Sequence, residues 1–304
     1  MIICNAQGKR PAIAQHAKPR RPGASSRKQP FMFVQHQNRT MWQAAASTLL
    51  LIYHQTVYNL RKMDRSPIIG LFMVLVKALV MVGFFVLMYY VVGIKSSPIR
   101  GDFILFILSG IFMYLCHVAA VGAVSGSGGI NSQLTKHGPL NSAVLICGSA
   151  LAVLYQQVLS VLIILGLYHA VLEPITIYNW IGCLGLLVLG WFWGCCVGLV
   201  FLGISPWWPK AAGIGTVVYQ RINMIASGKM FVANSMPAML LPYFEWNPLF
   251  HIIDQMRGQA FINYNPRNTS LDYVYDCIIA FLMIGLMIVF VTRNSASVSW
   301  RAGK

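Results

Sequence analysis

The sequence predicts an all-α integral membrane protein: six transmembrane helices, an N-terminal amphipathic interface helix, and re-entrant helices before the last span. Three observations predict it. Of 304 residues, 57% are hydrophobic and only 10% charged, against about 25% charged and 45–50% apolar in a soluble domain, which leaves little room for a water-soluble globule. Six apolar stretches reach the ~20 residues that a helix rising 1.5 Å per residue needs to cross ~30 Å of hydrocarbon. The charge is also lopsided, with 23 Lys and Arg against 7 Asp and Glu for a net +16, and eleven of the basic residues precede the first apolar stretch.

Residues 1–40 read as a disordered basic cytoplasmic tail. The run KRPAIAQHAKPRRPGASSRKQP has no apolar core for a signal peptide and too little apolar surface to fold. Residues 41–66 form the interface helix. Trp42, Ala46, Leu49, Tyr53, Val57 and Leu60 recur at three- and four-residue steps and share one face. The basic group Arg61, Lys62 and Arg65 ends the helix near anionic lipid. Two placements are compatible with this pattern, the inner headgroup layer or the cytoplasmic ends of the spans.

The spans of the domain 67–292 fall at 68–92, 103–124, 143–169, 178–204, 211–231 and 271–291, the fifth interrupted by Arg221 and Asn223. An even number places both termini on one side. With the N-terminus inside, sixteen Lys and Arg lie on inner segments, five on outer ones, and Lys77 and Arg221 within spans; the positive-inside bias then puts both termini, including the tail 293–304, in the cytoplasm. Glycines between 182 and 203 permit close helix approach, as at a homodimer seam. Cys116, Cys147, Cys183, Cys195 and Cys196 sit in apolar runs and serve as small hydrophobes. The outer segment 228–270 is too long for a simple connection. It stays apolar and aromatic while Pro237, Pro242, Pro248 and Pro266 break it, so the region 232–262 re-enters the membrane as short helices.

Chemistry within the chain is not supported. The Gly126–Gly129 run GSGG lacks the lysine of a phosphate loop, and the sequences HExxH and GxSxG are missing. No spacing suits a metal. The seven carboxylates, from Asp64 to Asp276, lie outside the spans or near their ends, whereas ion-coupled carriers keep acids at mid-membrane. No catalytic residue, metal site or bound cofactor is therefore expected, and no nucleic-acid partner. A channel, a scaffold, a membrane enzyme and the transmembrane half of an ATP-driven transporter remain.

Particular residues then resemble a known family. Ser227-Gly228, Met236-Pro237, Trp246-Asn247-Pro248-Leu249-Phe250-His251 and Ile252-Ile253-Asp254-Gln255-Met256-Arg257 resemble the Ser-Gly, the proline-marked short helix and the Asn-Pro-Leu to His to Arg stretch of type-2 ABC exporter permeases. The branch is the one exporting capsular polysaccharide, O-antigen and teichoic acid. Leu60-Arg61-Lys62 through Ile69-Gly70-Leu71-Phe72 resembles that family's approach to span one, and residues 131–140 its inner coupling segment. The chain departs from the family at Val76-Lys77-Ala78, where a Glu-Pro pair is common, and at Trp207-Trp208-Pro209-Lys210, where Arg-Asp is common.

The resemblance implies a homodimer driven by two copies of a separate ABC ATPase that carries ATP and Mg. It implies a lipid-linked glycan cargo and, as further partners, periplasmic and outer-membrane polysaccharide export proteins. Gln133, Leu134, Thr135, Lys136 and His137 would dock on the ATPase; otherwise they are a solvated loop. Arg221, Tyr243, Phe244, Trp246, Asn247, His251 and Arg257 would line the cargo path or gate. For the aromatic residues the plainer reading is a belt at headgroup depth, and for Arg221 a structural arginine. The alternatives are a type-2 ABC permease for a drug or lipid, and a non-transport scaffold or glycan-assembly protein.

Overall fold

A computed structural model describes residues 40–63, 67–93, 99, 101–128, 141–171 and 174–302, without the side chains of 63, 67, 92 and 293–302. Residues 1–39, Arg65 and the coupling residues Gln133, Leu134, Thr135, Lys136 and His137 lie outside the described residues. The described chain is helical, with no strand among those residues. In order it forms α1 (Met41–Met63), α2 (Pro67–Val92), α3 (Phe103–Ser125), α4 (Ser142–Val171), α5 (Trp180–Ile204), α6 (Pro209–Ala226), α7 (Pro242–Glu245), α8 (Pro248–Ala260) and α9 (Leu271–Ala302).

Five helices, α2, α3, α4, α5 and α9, are long and apolar enough to cross a membrane. The expected fifth span, 211–231, is instead covered by α6, which starts with Pro209 in its first turn and stops at Ala226. Its 18 residues are about 27 Å long. Lys210, Gln220, Arg221 and Asn223 keep it from matching the apolarity of the other five. The stop is local: Gly228 turns the chain with φ +63°, a conformation costing other residues about 1–2 kcal/mol.

The hub is α3. Its apolar window is 83% buried, against 11% in α2 and 17% in α9, so those two present most of their surface outward. Close approach of α5 makes α3 the centre. Gly190, Gly194 and Gly198 recur every fourth residue, and a Cβ would come within 2.4 Å of Met113 Sδ, 2.6 Å of the His117 carbonyl oxygen and 2.8 Å of Val124 Cβ respectively. These glycines are thus consumed by contact within the chain, not held open for a second copy. Gly203 meets Ile288 of α9 in the same way, at 2.6 Å, and Thr292 joins that contact by donating to the Gly203 carbonyl (3.0 Å) while accepting from Trp207 Nε1 (3.0 Å).

At the opposite end, the Tyr178 and Asn179 amides donate to the carbonyls of Ala260 and Gln259, at 3.1 and 2.9 Å. This ties the start of α5 to the end of α8. Helix α1 docks on α4, with Gln55 against Gly148. Ile52, Gln55, Thr56 and Asn59 are half-buried, whereas Trp42, Leu49 and Tyr53 of the expected apolar face are exposed. Arg61 and Lys62, in the last turn of α1, are exposed.

Candidate functional site

The stretch that resembles the permease family folds as one unit around α8. Asn247 caps α8, accepting from the Leu249 amide (3.1 Å) with Pro248 in the first turn. The other end of the same amide clasps α6, donating to Asn223 Oδ1 (3.0 Å) and the Ala226 carbonyl (2.9 Å). His251 sits between a carbonyl and an amide, with Nε2 2.8 Å from the Glu245 oxygen and Nδ1 3.1 Å from the Ser270 nitrogen. A carbonyl only accepts and an amide only donates, so Nε2 donates to the Glu245 carbonyl and Nδ1 accepts from the Ser270 amide.

Arg257, 1% exposed, closes the unit. Its guanidinium donates to the carbonyls of Gly228, Lys229 and Phe231 and lies 4.2 Å from the centre of the Phe106 ring. The Tyr89 hydroxyl takes the remaining carbonyl, that of Met230. A buried carbonyl without a donor is costly, so the turn 228–231, which has no helix of its own, depends on two side chains from distant elements. Burial lowers the Arg257 pKa to about 10, opposed chiefly by nearby Asp254, which leaves the guanidinium charged at neutral pH. Asp254 accepts from Tyr264 (2.5 Å), Thr269 (2.9 Å) and the Ala233 amide (3.4 Å). Burial and donation to Asp254 push the Tyr264 pKa upward.

Two backbone features make this closure possible. At Gly228 a Cβ would lie 2.3 Å from Phe250 Cδ2, and at Gly110 of α3 it would lie 2.7 Å from the Lys229 carbonyl. Lys229 itself, 3% exposed, points its ammonium at the Tyr114 ring, 3.6 Å from the centre, with Phe85 at 5.0 Å. Among the described residues its Nζ has no hydrogen-bond partner, nor do Ser227 Oγ and Arg257 Nε. Burial pushes the Lys229 pKa down to about 7.

Helix α6 is held to the hub by polar contacts more than by apolar ones, since only Ala212 and Asn223 are buried on it. Tyr219 bonds His117 Nε2 (3.0 Å), whose Nδ1 meets the Gly190 carbonyl (3.2 Å), and Tyr114 donates to the Gln220 carbonyl (3.1 Å). From Asn223 the chain of contacts continues to Asn247 and the cap of α8.

The nominated residues therefore separate into two sets. Asn247, His251 and Arg257 are buried and spoken for by backbone groups. Arg221 is exposed on α6, as are Tyr243 and Trp246, with Phe244 half-buried and close to Phe231 and Phe250. Trp246 donates to the Tyr243 carbonyl (2.5 Å), and Tyr273 donates to the Trp246 carbonyl (2.9 Å), which anchors the exposed ring. Sequence reasoning assigned no site role to Tyr89, Asn223, Lys229, Asp254, Tyr264 and Thr269. Their polar atoms standing in apolar surroundings were the available signal.

No family model matches this chain. Two Escherichia coli proteins, each called polysialic acid transport protein KpsM, are similar to it. One is 30% identical over 114 residues, 36% of this chain and 43% of the relative. The other is 25% identical over 200 residues, 64% of this chain and 75% of the relative. The chain thus spans less than half of the first relative's length. Both names denote transport of polysialic acid, in keeping with the resemblance to polysaccharide-exporting permeases.

Proposed function

From this similarity to two polysialic acid transport proteins, we propose that the chain is the permease subunit of an ATP-driven exporter that moves a polysaccharide or glycolipid across a bacterial inner membrane. The similarity over 200 residues is the observation that carries the reading. In it, α6 serves as a sixth membrane-crossing element, α7 and α8 re-enter from the outer face, and both termini lie in the cytoplasm. Two copies form the path. The stripe Ile214, Val217, Val218, Arg221, Ile222 and Ile225, exposed along α6, supports that pairing, because a stripe spaced in threes and fours is one helix face.

Cargo would meet Arg221 on this stripe and the rings of Tyr243 and Trp246 at the outer mouth. Aromatic faces stack on sugars, and a guanidinium suits the phosphate of a lipid-linked glycan. Asn247, His251 and Arg257 hold the mouth's framework. Residues 133–137 would receive the closing motion of a separate ATPase, present in two copies with its own ATP and Mg; export proteins of the periplasm and outer membrane would continue the path. No reaction is assigned to this chain.

A deletion strain tests the proposal. Loss of a surface glycan, its accumulation inside the cell, and rescue by this chain only with a hydrolysis-competent ATPase that co-purifies with it are the expected results. Unaltered surface glycan together with no stimulated ATPase partner would overturn it.

A further inference from the structure

A groove of about 550 Å³ runs between α5, α8 and the start of α9, away from α6 and the proposed path. Its walls change character along its length. Asn179, Gln255, Gln259 and Tyr275 rim one end, and Leu189 and Phe192 line the other. The floor is open at Gly185, where a Cβ would meet nothing within 4 Å, whereas the bare Gly182 admits the rim side chains, Gln259 Oε1 lying 2.7 Å from where its Cβ would be.

We propose that this groove seats one diacyl phospholipid, held at its glycerol–ester region by the amide rim, with an acyl chain along the glycine floor. From Asn179 to Phe192 the groove follows α5 for about 20 Å at 1.5 Å per residue, the depth of one leaflet with its interfacial layer, whose full bilayer measures ~40–45 Å. Polar rim first and apolar floor beyond is the order of a lipid's own parts. The rim also offers donors. Asn179 is committed to the Gly182 amide and Gln259 Oε1, and Gln255 Nε2 to Thr269, but Gln259 Nε2 and the Tyr275 hydroxyl have no hydrogen-bond partner among the described residues. Ester and phosphate oxygens only accept, and so fit these two groups.

No Lys, Arg, Asp or Glu lines the groove, so headgroup charge is not read there. A glycan would leave its hydroxyls against Leu189 and Phe192 without partners. The site needs only that α5 and α9 stand in a bilayer, and it survives whether or not the chain exports polysaccharide.

Native mass spectrometry of the full chain in detergent tests it, with palmitoyl-oleoyl phosphatidylethanolamine and, separately, the phosphatidylglycerol as probes. One saturable adduct per chain is expected, with affinities for the two lipids within about threefold. Gly185→Phe fills the floor and abolishes the adduct, with elution volume and melting temperature unchanged. Tyr275→Phe, at an exposed ring, weakens it by about threefold to tenfold, the loss of one hydrogen bond. Retention of the adduct in a folded Gly185→Phe chain, a preference above tenfold for the anionic lipid, or displacement by a soluble oligosaccharide would overturn the proposal. Should Gly185→Phe fail to fold, unchanged binding in Tyr275→Phe overturns it alone.

Discussion

Replacing Arg257 with methionine removes the fork that holds the turn 228–231 while keeping an unbranched apolar stem beneath Phe106. Two carbonyls, of Lys229 and Phe231, lose the donor the fork gives them, while that of Gly228 keeps the Phe231 amide at 3.0 Å, and each buried group left unsatisfied costs about 1–3 kcal/mol. Removing the guanidinium also relieves its own desolvation, so the expected loss is about 3 kcal/mol and not the full sum. At about 2–4 °C per kcal/mol for a chain of this order, Arg257→Met should melt about 6–12 °C below the wild type, read by fluorescence-detected thermal melting of the purified chain in detergent. Arg257→Lys is the discriminating companion. It keeps the charge but offers a single point donor where a planar fork serves three acceptors, and should recover less than half of the loss. An Arg257→Met chain melting within about 2 °C of wild type, or full recovery in Arg257→Lys, would refute a fork-dependent turn.

Gly228→Ala adds a left-handed backbone penalty of about 1–2 kcal/mol to an overlap with Phe250, and should lower the melting temperature at least as far as Arg257→Met; an unchanged melt would show that the turn can relax. Arg221→Ala, on an exposed face, should leave stability within about 0.5 kcal/mol yet reduce surface glycan in a complemented deletion strain, and normal export would remove Arg221 from the cargo path. Trp246→Ala should behave likewise, whereas intact export there would favour a headgroup-depth belt. Lys229 has a folded pKa lowered by burial to about 7 from 10.5, so between those values the unfolded chain binds the extra proton and wild-type stability rises with pH. Against Lys229→Met, the wild type should therefore gain in melting temperature from pH 7 to pH 9; a constant offset between the two would refute burial of a titrating ammonium.

The fold class was legible because hydropathy is a bulk property that each long helix must satisfy by itself. Five apolar stretches are five long helices, with ends that fall within a few residues of the expected ones except where α9 runs on to Ala302. Periodicity marks an apolar face on a helix without naming what covers it. In α1 the apolar face of Trp42, Leu49 and Tyr53 is exposed, and the side bearing Gln55 docks on Gly148. The glycines of α5 were visible as small residues, but which surface they serve depends on the register of α3, and nothing within α5 encodes that.

The site was legible as a pattern and illegible as a set of roles, and Arg257 and Arg221 show why. Both are arginines in apolar surroundings, and composition ranks them alike. Their difference lies in what the chain can bring to them. Arg257 is on a helix whose cap, Asn247, also grips α6, and in the turn that follows Ser227-Gly228 the carbonyls of Lys229 and Phe231 take their donor from its guanidinium. An arginine at that point is required by the backbone itself, and it costs the protein no exposed charge. Arg221 stands three turns along α6 from Pro209 on a face where the neighbouring exposed residues are Val217, Val218, Ile222 and Ile225. Among the described residues, no backbone carbonyl accepts a hydrogen bond from Arg221. A charge that the fold does not use, set on a face that the fold does not cover, is the one whose removal should spare the protein and stop its work.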